Sequence, residues 1–216
     1  KKDALLSYEK AIEFKRDFAE AYLNRGIALK EINRFEDSLA SYDKSIEFKN
    51  NYAEAYSNRG NVLKELMRLE EALLSYDKAI EIESDHADTY WDKSLALLLG
   101  GDFDKGFNEY EWRWKKDNFT SPKRNFSQPL WLGAEDIAGK TILLHAEQGL
   151  GDTIQFCRYA KLVKALGARV ILEVPKALLG LLSGLEGVDE LIEEGNALPA
   201  FDYHCPLLSL PLAFKT

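Results

Sequence analysis

Ala19-Glu-Ala-Tyr-Leu-Asn-Arg-Gly26 returns as Ala53-Glu-Ala-Tyr-Ser-Asn-Arg-Gly60 and, more loosely, as Ala87-Asp-Thr-Tyr-Trp-Asp-Lys-Ser94. Its companion Leu39-Ala-Ser-Tyr-Asp-Lys-Ser-Ile46 returns as Leu73-Leu-Ser-Tyr-Asp-Lys-Ala-Ile80. The step from 19 to 53 to 87 is a constant 34 residues. A fixed period of this length marks stacked supersecondary units, because one unit alone cannot bury its apolar face and successive units can. Helical spacing of the apolar residues makes each unit a helix pair, with most Tyr, Leu and Ala positions in the core.

In these positions the chain resembles the tetratricopeptide repeat family, whose period is 34 residues. Tyr22, Tyr56 and Tyr90 begin the first helix of each pair, and Gly26, Gly60 and Ser94 are the small residues that let the paired helices approach. Phe35, Leu69 and Phe103 sit at the turn. Ala4, Ser38, Ala72 and Gly106 are small on the second helix, with Tyr8, Tyr42, Tyr76 and Tyr110 one turn later. Lys1 to about Lys15 then reads as an orphan second helix, followed by three repeats to about residue 117. The resemblance implies a curved solenoid that offers an inner face to a protein or extended peptide.

By that geometry the inner face receives Glu20, Leu23, Asn24, Ile27, Lys30 and Glu31 from one repeat. The next supplies Glu54, Ser57, Asn58, Asn61, Lys64 and Glu65. Asn24 and Asn58 share one repeat position, which Asp92 fills in the third. An amide both donates and accepts, so a row of amides can hold an extended peptide backbone without reading its sequence. The row is similar to the asparagine ladder of O-linked N-acetylglucosamine transferases, and Asp92 breaks it by offering acceptors alone. Asn24, Asn58, Asn61 and Asp92 are the candidate peptide-binding residues.

The third repeat presents Trp91, Leu95, Leu98 and Leu99 inward, too apolar a set to face water. Something is expected to cover it, either the following segment folding back or a neighbouring domain. Trp114 falls where repeats bury a core residue, and Trp112 is expected to point outward. Trp91, Leu95 and Trp112 are therefore the candidate interdomain contacts.

Residues 118–136 carry Asn, Thr, Ser and two prolines with little apolar periodicity and read as a connector, with Pro122-Lys-Arg124 a solvated basic cluster. From 137 to 216 strands and helices alternate. Lys140–His145 and Arg169–Val174 are strands, the second halted by Pro175, and Asp189–Ile192 and Phe201–His204 are shorter ones. Helices are expected over Thr153–Leu166 and Lys176–Leu182, with another starting near Leu207. Such alternation implies a parallel sheet whose ligands sit beyond the carboxyl ends of its strands. The loop His145-Ala-Glu-Gln-Gly-Leu-Gly-Asp152 falls there, with Gly149, Gly151 and Asp152 at a helix N-terminus suited to an anion or a reacting polar group. Ile154 stands where a dinucleotide fingerprint needs its third glycine, and Glu173 lies within its strand rather than after it, so dinucleotide binding is the weakest reading.

The longer string Leu144-His-Ala-Glu-Gln-Gly-Leu-Gly-Asp-Thr-Ile-Gln-Phe-Cys-Arg-Tyr159 resembles the first strand, loop and helix of heptosyltransferase-like glycosyltransferases. Glu111-Trp-Arg-Trp114, Pro129-Leu-Trp131 and Phe201-Asp-Tyr-His-Cys-Pro-Leu-Leu-Ser-Leu-Pro211 look like the bacterial proteins that fuse this domain to tetratricopeptide repeats. The resemblance implies a multidomain chain, an all-α solenoid followed by an α/β Rossmann-like domain that is the acceptor-side half of a GT-B fold. It makes Asp152 the candidate general base on an acceptor hydroxyl, with His145, Glu147, Gln148, Gly149 and Gly151 lining the acceptor or anion loop. Asp152 also suits a helix cap. A nucleotide sugar is the donor implied for a longer protein. No cofactor is expected in this piece, which reads as truncated at both ends and inactive alone. The alternative is a non-catalytic interaction scaffold whose α/β domain is a docking platform.

A net charge of -8 argues against a general nucleic-acid or anionic-membrane binder. Cys157 and Cys205 have neither metal-ligand nor disulfide spacing, His204 beside Cys205 is too sparse for zinc, and no apolar run would span a bilayer. Reduced thiols and the absence of a signal pattern point to a cytoplasmic protein.

Overall fold

The computed structural model describes residues 2–121 and 123–216; Lys1 and Pro122, which the sequence reading places in the orphan helix and the basic cluster, lie outside them. The chain divides into two compact units, 1–116 and 117–216.

The first unit is helical. The orphan helix α1 (Lys2–Phe14) precedes the pairs α2 (Ala19–Lys30) with α3 (Phe35–Phe48), α4 (Ala53–Glu65) with α5 (Leu69–Ile82), and α6 (Ala87–Leu99) with α7 (Phe103–Tyr110). Phe35, Leu69 and Phe103, expected at the turns, open the second helices instead. The turns are made two residues earlier by Asn33, Met67 and Gly101, which share a repeat position and a left-handed backbone with φ of 59°, 58° and 83°. Only glycine adopts that conformation without steric cost, so the first two turns are held by packing on either side.

Within each pair a tyrosine ring lies on a glycine. A Cβ at Gly26 would stand 2.5 Å from the Tyr42 ring, and one at Gly60 would stand 2.6 Å from that of Tyr76. Both rings are fully buried, in a core with Leu23, Leu39, Ala55, Val62, Leu63 and Ala72. Ser38 and Ser45 reach across from α3 and donate to the α2 carbonyls of Gly26 (2.7 Å) and Ala19 (2.9 Å). The third pair has Ser94 in place of glycine, and its close approach moves to Gly106, against Leu98.

The second unit is a four-stranded parallel sheet in the order β3-β2-β1-β4. Its strands are β1 (Thr141–His145), β2 (Arg169–Val174), β3 (Glu190–Glu193) and β4 (Tyr203–Pro206). Strands grow outward from β1 to β2 to β3, and then β4 joins on the other side of β1. The helix expected over Thr153–Leu166 starts earlier and is broken: α8 (Leu150–Phe156), a 3-10 turn Cys157–Tyr159, then α9 (Ala160–Ala165). Two short helices follow, α10 (Leu179–Leu182) and α11 (Leu210–Phe214), each led in by a 3-10 turn.

The stretch read as a connector is part of this unit. Leu130 bridges to His204 in parallel; the Trp131 N–H donates to the His204 carbonyl (2.9 Å) and the His204 N–H to that of Pro129 (3.1 Å). These bonds cover the outer edge of β4, which would otherwise offer unpaired groups to another strand. Trp131 and Ile137 are buried at 1% exposure, and Phe126 packs with Leu198 and Phe201 on Leu143, Ile171 and Ile192 of one sheet face. Low periodicity hid this, because a covering strap places single anchors rather than a repeating stripe.

Candidate functional site

On the repeats, the face predicted to bind a peptide divides into an open and a closed part. Asn24 is exposed and Asn58 half-buried, and neither side chain hydrogen-bonds to another described residue. Asn61 and Asp92 are engaged within the fold. The Tyr76 hydroxyl donates to Asn61 Oδ1 (2.8 Å), Asn61 Nδ2 donates to Asp92 Oδ2 (2.8 Å), and Lys64 lies 3.4 Å from Asp92 Oδ1. Burial and the nearby Asp92 and Glu65 carboxylates push the Tyr76 phenol well above its ordinary range, so it stays a donor. Leu23 and Ser57, expected on this face, belong to the buried interior, where Ser57 accepts from Thr89 Oγ1 (3.0 Å).

One repeat earlier the same tyrosine has no such partner. Ile27 stands where Asn61 would be, and the buried Tyr42 hydroxyl makes no well-formed hydrogen bond among the described residues, the Ser38 side chain being only a weak partner. Burial pushes the Tyr42 phenol up to about 12.

The third repeat is covered by its own continuation. After α7 the chain turns through a 3-10 segment, Glu111–Lys115. Trp91 packs on Tyr110 with ring centroids 4.6 Å apart, and Lys116 lies over the Trp91 ring and pairs with Asp88. Trp112 stacks on Tyr90, centroids 3.8 Å apart and planes 3° apart. The 3-10 register puts Arg113, not Trp114, in the interior, paired with Glu111 at 2.7 Å. Trp91 and Trp112 thus pack on tyrosines of the repeat unit itself, and Leu95 is half-buried.

In the sheet unit the strand order reverses at β1, so the crevice beyond the strand ends lies between β1 and β4. Glu147 crosses it: buried at 5% exposure, its Oε1 accepts from the Leu208 N–H (3.2 Å) ahead of α11. Asp152 is the third residue of α8 rather than the residue before it. Half-buried, it accepts from the Gly149 N–H through Oδ2 (3.1 Å), as a capping carboxylate does. Gln148 holds a left-handed φ of 63°, and its N–H donates to Ser121 Oγ (2.7 Å). Of the loop residues named from sequence, Gln148, Gly149 and Gly151 are exposed, whereas His145 and Glu147 face inward. The Gln148 and Gly149 amides are already matched by the chain, which leaves this loop a poor cradle for a pyrophosphate.

Below the loop lies a buried polar cluster that the sequence reading dispersed. His145 Nε2 is 3.2 Å from His204 Nδ1, and Phe126 packs edge-on against both rings. Arg124, expected to be solvated, reaches Glu173 with Nη1 2.8 Å and Nη2 3.2 Å from the two carboxylate oxygens. Glu173 is 2% exposed, a burial that a carboxylate tolerates only when paired. The signal in the sequence was a lone acid inside the apolar run Val170–Val174, which requires a cation from elsewhere. No group of three or more His, Cys, Asp or Glu side chains among the described residues is placed to hold a metal ion, and both cysteines are buried thiols.

Comparison with known families supports the repeats. Residues 28–66 match a family model described as TPR repeat, and residues 53–86 one described as tetratricopeptide repeat, so this chain carries tetratricopeptide repeats. Similar solved structures include a crystal structure of MamA, 24% identical, over 50% of this chain and 63% of that chain, with a TM-score of 0.48. MamA from Desulfovibrio magneticus RS-1, residue 41 to its end, is 20% identical over 51% and 63%, with a TM-score of 0.49. The Arabidopsis OM64 TPR domain is 18% identical over 43% and 77%, with a TM-score of 0.43. This chain thus spans less than two thirds of the first of these proteins. Among curated proteins none matches it. No helix among the described residues is long and apolar enough to cross a membrane.

Burial, with the Arg124 charge beside it, holds the His204 imidazole below its ordinary range, within a cluster whose other charged or titratable members are Arg124, Glu173 and His145. The unfolded chain therefore binds a proton that the folded unit resists. Stability from this group is complete above its ordinary value of about 6.5 and is lost as pH falls towards the lower folded value. Hydrogen exchange of the β1 amides, corrected for intrinsic rates, is expected to show opening becoming easier from pH 7.5 to 5.5. His204→Gln should flatten that dependence. A parent protein with equal opening energies at both pH values would contradict this assignment.

Proposed function

We propose that this chain is a protein-interaction module whose first two repeats hold an extended segment of a partner along the face bearing Asn24 and Asn58. The carrying observation is that two repeat-equivalent amides have no hydrogen-bond partner among the described residues, while their neighbours Asn61 and Asp92 are tied into the fold. A peptide backbone supplies the alternating donors and acceptors that such amides match. Closure of the third repeat by Trp91, Tyr110 and Lys116 limits the open face to the first two. In this reading the sheet unit is a second platform. Its strand-end carboxylates cap their own helix termini, which suits a scaffold as well as it suits chemistry.

Screening displayed unstructured peptides against the whole chain tests the proposal. Asn24→Ala with Asn58→Ala should weaken selected peptides by roughly 1–3 kcal/mol, about 5- to 150-fold, for the hydrogen bonds lost. Peptides that bind the double variant as tightly as the parent would refute it.

A second reading is favoured by the place of Asp152, half-buried with one oxygen on the Gly149 N–H, at the carboxyl end of β1 beside the reversal of strand order. In it the sheet unit is the acceptor half of a glycosyltransferase of GT-B type. Asp152 then takes the proton of an acceptor hydroxyl, and a nucleotide sugar is bound by a further domain. Asp152→Asn keeps an oxygen for the Gly149 N–H and so separates capping from proton transfer. In a chain that includes a donor-binding half, sugar transfer should fall roughly 10²–10⁴-fold. Transfer at the parent rate would exclude Asp152 as the base.

A further inference from the structure

Successive repeats leave equivalent clefts at the starts of α2 and α4, and the third equivalent place is already filled. The cleft over Tyr22 has a volume of about 480 Å³ and includes Ile12 and Lys44 in its wall. That over Tyr56 has about 440 Å³ and includes Ile46 and Lys78, the same positions one repeat on. A further step of 34 leads to Ile80, Tyr90 and Trp112. There the chain carries an indole in place of the lysine, stacked flat on the tyrosine at 3.8 Å. Lys115 Nζ covers the ring at 3.5 Å. The third repeat thus carries, within the molecule, an aromatic ring stacked on the tyrosine of this repeat position.

Charge around the clefts agrees with a neutral occupant. Lys44 and Lys78 are drawn along their own helices to Glu47 (2.6 Å) and Glu81 (2.8 Å). Arg59 on the second rim is paired with Asp43 at 2.7 Å, and the first rim carries one charge of each sign, Glu13 and Arg16. Tyr56 lies beside the aliphatic Ile46 and Leu74, and Tyr22 beside Ile12 and a tilted Phe48 ring 5.6 Å away; with the charges balanced, such walls favour a flat apolar group over an aliphatic or charged one.

We propose that these two clefts receive aromatic side chains, tryptophan or tyrosine, of a protein partner, stacked on Tyr22 and Tyr56 as Trp112 is stacked on Tyr90. Tyr22 and Asn24 are two residues apart, about 200° around the helix, so this surface is distinct from the asparagine face and independent of its function.

The test is a titration of N-acetyltryptophanamide into the whole chain, followed by the ring resonances of Tyr22 and Tyr56. Saturable binding at roughly millimolar affinity is expected, with both rings shifting. Lys44→Trp with Lys78→Trp fills the clefts from within and should weaken binding at least tenfold. Trp112→Ala should open the third cleft and add one binding site. Absence of saturation, equal binding of N-acetylleucinamide, or rings that shift alike in the filled variant would overturn the proposal. The leucinamide comparison is made on the unaltered chain, so it decides the matter even where a substitution disturbs folding.

Discussion

Each open repeat rests on a tyrosine ring lying against a glycine backbone, Tyr42 on Gly26 and Tyr76 on Gly60. Without a side chain at the glycine, the two helices of a pair approach until the ring fills the space between them, and dense interiors tolerate no spare atom there. The same closeness brings the Ser38 and Ser45 hydroxyls within reach of the opposing carbonyls. It also aims the Tyr76 hydroxyl at Asn61, so a packing contact decides which polar groups on the face are consumed. Where the glycine is replaced, at Ser94, the pairing moves to Gly106 and the face is closed by aromatic rings.

The sheet unit satisfies its strand-end and helix-end polar groups internally. In the sheet unit Glu147 answers Leu208, Asp152 answers Gly149 and Arg124 answers Glu173, so helix termini and strand ends are matched internally. Such matching stabilises the fold and reduces what a ligand could gain by binding there. By contrast, the Asn24 and Asn58 side chains have no hydrogen-bond partner among the described residues, which is the ground on which a partner is proposed to bind there.

The repeats were legible in the sequence because their period is carried by core residues, and a core residue is constrained by its neighbours on every side. All four strands were also legible, to within two residues at their ends, from short apolar runs bounded by turns. Three features were not. Leu23 and Ser57 were placed outward because helical phase alone does not show how deeply the next repeat sits on them. Arg113 took the buried place expected of Trp114 because the helix tightens to 3-10 form after Tyr110, and one residue of drift turns an inward side chain outward. The strap over residues 123–131 carries no periodicity, and its anchors Arg124 and Phe126 contact residues far away in the chain, Glu173, His145 and His204. The side-chain clusters divide the same way: the shared position of Asn24 and Asn58 follows from the repeat, while the Arg124–Glu173 pair and the histidine contact join residues that no period links.

Urea unfolding of Gly60→Ala beside Gly26→Ala tests the founding contact most directly. A methyl at residue 60 meets a ring that is fully buried and tethered through its hydroxyl to Asn61, whereas the Tyr42 hydroxyl has no such tether. Gly60→Ala should lose about 1–3 kcal/mol from overpacking, and more than Gly26→Ala. If the ring contact does not hold the pair together, alanine's better helix propensity alone would leave Gly60→Ala up to about 1 kcal/mol more stable than the parent, and that result would contradict the account.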